Sequence, residues 1–89
     1  MLLYKNIMLI TDLKKNNYIS WHCKRGMLEL DEILTTFFKD YYNNLTIVQQ
    51  QNFELLLQES DADLFSWLFG KELPSNIMLQ DMVFLIRKN

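Results

Sequence analysis

Apolar positions recur with a helical period of three to four residues along nearly the whole chain. A first helix is predicted over Asp12–Cys23, with Leu13, Tyr18, Ile19 and Trp21 as its apolar members. Gly26 then marks a break or a tight junction. A second helix runs from about Met27 to Asn43. At about 100° per residue, Met27, Leu30, Leu34, Phe37, Phe38 and Tyr41 share one face and form a core stripe. The asparagines of "YNNL" close it. A third helix opens at "TIVQ", where Thr46 and Gln49 have the spacing of a capping box. Its apolar face is Val48, Phe53, Leu56 and Leu57, with Gln49, Gln50 and Gln51 towards water. "SDAD", Ser60–Asp63, starts a fourth short helix with acidic residues in its first turn, and Gly70 stops it. After "LPSN", Ser75 or Asn76 caps a fifth helix over about Ile77–Arg87. Its apolar positions include Ile77, Met78, Val83, Leu85 and Ile86, and Arg87 and Lys88 suit its C-terminal dipole. The loops are short, so neighbouring helices pack antiparallel or at steep angles.

The fold class expected is therefore all-α, a compact five-helix bundle in a single domain. Two glycines and one proline leave little room for a turn-dense β fold. At 89 residues the chain holds one domain. Residues 1–10 read as an N-terminal extension and residues 11–89 as the domain. Met8 offers a second start that leads directly into a cap at Thr11 or Asp12.

Composition narrows the function. Hydrophobic residues make up 49% of the chain and aromatics 13%, enough for a core at this size. The net charge of -2 argues against a nucleic-acid partner, which needs a concentrated basic stripe. No apolar run approaches the ~20 residues of a membrane span, so direct membrane insertion is not expected. The opening "MLLYKNIMLI" is broken by Lys5 and Asn6, and it lacks the basic leader and cleavage site of a signal peptide. A cytoplasmic protein, monomeric when free, is the plainest expectation. The single cysteine, Cys23, excludes an intrachain disulfide and favours a reducing compartment.

Candidate chemistry is sparse. His22 and Cys23 are adjacent, so on a helix they point about 100° apart, which suits neither a metal pair nor a Cys-His catalytic pair. Trp21 and His22 read as ordinary packing and surface residues. Two glycines cannot build a dinucleotide or P-loop cradle. Acidic pairs such as Glu29/Asp31 and Asp61/Asp63 diverge on a helix, which is wrong for two carboxylates flanking one bond. Catalysis, a metal and a bound cofactor are therefore not expected. Tyr41-Tyr42 and Trp67-Leu68-Phe69 are where an aromatic ring would face a partner.

The stretch "RGMLELD", Arg25–Asp31, is the one candidate site. On the grid of the second helix, Arg25 and Glu29 lie four apart on a common face, with Gly26 flanking it. One reading is a surface ion pair worth at most ~0.5 kcal/mol beside a helix-start glycine. The other is a docking site. A glycine between two charges lets a partner backbone approach, and an arginine fork and a carboxylate then fix it.

"WHCKRGMLELD", followed about thirty residues later by "DADLFSWL" and a final helix, resembles the bacterial FAD assembly factors of succinate dehydrogenase and their mitochondrial counterparts. The bacterial family has also carried the label of an antitoxin. The resemblance spans roughly Lys15 to Arg87. It implies a five-helix bundle that binds the flavoprotein subunit of succinate dehydrogenase, often also of fumarate reductase, and promotes covalent attachment of FAD to a histidine there. The FAD belongs to the client. Carried over, the Arg-Gly-x-x-Glu signature falls on Arg25, Gly26 and Glu29, with Lys24 and Asp31 at neighbouring partner-binding positions. Lys24 stands where a second arginine is common, and Ala62 where a proline is common before "DLF". The alternative is an antitoxin-like protein that binds a partner protein. Direct carriage of FAD has no visible phosphate cradle to support it.

Overall fold

The computed structural model describes residues 14–89. It shows five helices and a short 3-10 turn, with no strand among the described residues. We number them α1 (residues 14–22), α2 (Leu28–Tyr41), α3 (Ile47–Leu56), α4 (Asp61–Phe69) and α5 (Ile77–Lys88), with the 3-10 turn at Tyr42–Asn44. The proposed N-terminal extension, the start at Met8, the cap at Thr11 or Asp12, and Leu13 all lie outside the described residues.

Local chemistry places most of the boundaries. Thr46 Oγ1 accepts from the Gln49 amide, and Gln49 Oε1 accepts from the Thr46 amide, so the expected capping box forms. Ser60 caps α4 through the Asp63 amide, and Asn76, not Ser75, caps α5 through the Met78 amide. α4 ends at Gly70 as expected, and not through a left-handed turn. Gly70 has φ -98°, and a Cβ there would lie 2.6 Å from the Ser66 carbonyl oxygen. The glycine is needed for close approach.

α5 packs on α3 and α4, and α2 on α4 and α5. At the centre, Phe53 is fully buried, its ring stacked on Phe37 and Phe38 at centroid distances of 5.6 and 6.3 Å, with Tyr42 at 5.8 Å. Leu30, Leu34, Leu56, Leu64, Val83 and Ile86 belong to the same core.

Several predicted faces rotate. α1 buries Ile19, and Cys23 is buried just past its end, one helical turn on, while Tyr18 and Trp21 are exposed. On α2 the stripe holds at Leu30, Leu34 and Phe37, with Met27 and Phe38 partly covered. It then passes to Tyr42 rather than Tyr41, because the tighter 3-10 turn changes the angular step there. Val48 of α3 and Ile77 and Met78 of α5 are exposed. All three lie in the first turns of their helices, and α5 instead buries Leu79 and Met82 with Val83 and Ile86. Gln50 is also not simply solvated, since its side chain donates to the Tyr42 carbonyl and ties α3 to the 3-10 turn.

Candidate functional site

The loop between α1 and α2 carries the candidate residues. α1 closes with the Cys23 amide donating to the Ile19 and Ser20 carbonyls and the Lys24 amide to that of Trp21. Gly26 then has φ +85°, the left-handed region where side chains are strained. A Cβ built there meets nothing within 4 Å. The glycine is therefore demanded by the backbone, and its outer side is open.

Residues 24–27 are not helical, so the i,i+4 spacing of Arg25 and Glu29 does not bring them together. Instead, Arg25 turns inward to the junction of α3 and α4. Its Nε donates to Asp61 Oδ1 at 2.8 Å. Nη1 donates to the Leu57 carbonyl at 2.6 Å and to His22 O at 3.2 Å, and Nη2 to the Glu59 carbonyl at 2.6 Å. The planar fork thus reaches carbonyls just past the end of α3, which the helix itself leaves without partners. The side chain retains only 15% of its exposure. The Arg25 main-chain amide donates to Asp31 Oδ1, so the first turn of α2 grips the same residue.

Glu29 faces elsewhere. It is exposed, forms no ion pair among the described residues, and borders a groove of about 330 Å³ with Ile33, Phe37, Tyr41, Phe69 and Ile86. Lys24 is exposed as well, its ammonium 6.0 Å from the Trp21 ring centroid, at the outer limit of a cation–π contact. Of the five sequence-selected residues, Arg25 and Asp31 are bonded within the protein, and Lys24, Gly26 and Glu29 face solvent. Asp61 was legible only as a helix-start acid, because nothing in local spacing links it to a residue 36 positions away. Tyr18 and Trp21, read as apolar members of the first helix, border an open hollow with Lys24, Arg25 and Asp61. The rings of Phe69 and Tyr41 are part-exposed as expected of those segments, whereas Tyr42 is buried.

The remaining reactive groups are plainly placed. Burial pushes the Cys23 thiol up to about 12, against a smaller lowering by the Arg25 charge. His22 lies on the surface with its ring 4.3 Å from that of Tyr18. No cluster of three metal-ligating side chains occurs among the described residues, and no helix there is long and apolar enough to cross a membrane.

Fold and site together define a small all-helical domain with an internally braced, solvent-facing loop. Over residues 17–89 the chain matches the family model described as flavinator of succinate dehydrogenase, and it belongs to that family. It is 47% identical over 68 residues to a Mannheimia succiniciproducens protein named FAD assembly factor SdhE, covering 76% of this chain and 79% of that one. Proteins of the same name from Pasteurella multocida and Vibrio cholerae are 41% and 43% identical, over 79% and 73% of this chain and 83% and 76% of theirs.

Proposed function

We propose that this chain is a non-enzymatic assembly factor that binds the flavoprotein subunit of succinate dehydrogenase, and that of fumarate reductase, and promotes covalent attachment of FAD to it. Membership of the flavinator family across residues 17–89 carries this reading. The exposed contacts assigned to the client are Gly26 and Glu29, with Lys24 beside them. Gly26 lets the client's backbone approach, and Glu29 presents a carboxylate that no partner within the described chain occupies. Arg25 and Asp31 belong to the same site but act by holding the loop in shape.

The new bond forms between a client histidine and the client's flavin. The factor's part is orientation: holding the client so that the two groups stay aligned removes an entropic part of the barrier. The factor works as a monomer in the cytoplasm.

Covalent flavin on the client, read by in-gel fluorescence, tests this. Cells lacking the protein should lose the signal, the wild-type chain should restore it, and Glu29→Ala should not. Because Glu29 is exposed, that variant should keep its stability to within about 0.5 kcal/mol. Unchanged fluorescence in the deletion would sink the assembly-factor reading, and full rescue by Glu29→Ala would remove that residue from the site.

A further inference from the structure

We propose that Asp61, in the first turn of α4, is a positioning residue for the docking loop, acting through Arg25. The inference rests on the assembly-factor reading and adds a residue that local sequence does not connect to the loop. Three of the four acceptors around the Arg25 guanidinium are neutral carbonyls, of His22, Leu57 and Glu59. Asp61 is the one acceptor that balances its charge. All four bonds are charge-assisted at the donor, but only the one to Asp61 joins opposite charges. With Asp61 in place, the guanidinium is committed inward and the Arg25 main chain is held between Asp31 on one side and the α3–α4 junction on the other. Gly26 follows directly in the chain, so its left-handed conformation is set by this anchorage. The surface that a client meets is then Gly26 and Glu29, while Arg25 is the post behind it. Without Asp61 the carbonyls still attract the fork, but nothing fixes its charge, and the loop samples other conformations before a client can bind.

Asp63 provides the control. It lies in the same first turn, supplies the same favourable charge at the helix start, and is exposed with no bond to Arg25. The experiment is calorimetric binding of each purified variant to the purified flavoprotein subunit of succinate dehydrogenase, with backbone amide NMR of the free chain. Asp61→Asn should weaken client binding by about tenfold or more and move the Gly26 amide resonance, while Asp63→Asn does neither. Asp61→Ala should cost little further affinity in an Arg25→Ala background, because the two act as one unit. Wild-type affinity in Asp61→Asn, or fully additive losses in the cycle, would overturn the proposal. Additivity would mean that Asp61 touches the client itself. If Arg25→Ala fails to fold, the Asp61→Asn spectrum decides: weakened binding with an unmoved Gly26 amide counts against positioning. A wild-type chain that does not bind the subunit at all defeats the assembly-factor reading. Loss of binding in Glu29→Ala with none in Asp61→Asn defeats this inference alone.

Discussion

At the scale of single residues, Gly26 shows how a sequence signal can be right in position and incomplete in cause. Its place off the core stripe implies that a larger side chain would be harmless to the fold. The observed φ of +85° changes that expectation, since an L-residue there costs about 1–2 kcal/mol through backbone strain alone. The space around it is open, so bulk adds nothing. Gly26→Ala should therefore lower the melting temperature by roughly 4–8 °C for each 1 kcal/mol lost, and Gly26→Arg by a similar amount. A melt unchanged in both variants would mean that the loop relaxes out of the left-handed region at no cost. On the proposed docking role of this loop, client binding should separate them, since only the arginine extends far across the open side of Gly26.

At the scale of elements, the devices that hold the helix ends differ in how far they reach along the chain. The α3 capping box lies within four residues, which is why "TIVQ" disclosed it. Thr46→Ala should cost about 1 kcal/mol, measured by urea unfolding, with an unchanged slope if only the cap is lost. A loss too small to detect would indicate that tertiary packing alone holds the start of α3. α2 has no side-chain cap at Met27 and depends on what surrounds its first turn. The end of α3 is closed by Arg25, more than thirty residues away in sequence. On the grid of the second helix Arg25 and Glu29 share a face, but the left-handed Gly26 breaks that grid and Arg25 turns to the junction of α3 and α4.

At the scale of the whole molecule, Cys23 joins α1 to the common core, and its proton reports on that core. Burial raises the thiol from 9.0 to about 12 in the folded chain. The folded state thus keeps a proton that the unfolded chain gives up first. Its contribution to stability is complete below pH 9.0 and is lost as pH rises towards about 12. Tyr42 acts in the same direction, raised by burial and then by its hydrogen bond to, and the charge of, Glu54. Melting temperature measured across this alkaline range should fall, and Cys23→Ala should fall less steeply than the wild type. Equal slopes would show that the Cys23 proton does not follow folding.

The sequence by itself determined the all-α class, the number of helices, the caps at Thr46 and Ser60, and the core positions Leu30, Leu34, Phe37 and Phe53. Each of these depends on residues within about one or two helical turns of one another, and hydrophobic period and capping chemistry both act at that range. It also located the helix junction at Gly26. Tertiary structure alone decided which side of α1 is buried, that Tyr42 and not Tyr41 enters the core, and that Arg25 braces the loop from within. Those outcomes depend on which distant surface a side chain meets. Arg25 has a carboxylate four residues ahead, yet it bonds to Asp61 and to the unpaired carbonyls after α3, because folding brings several acceptors around one planar donor there.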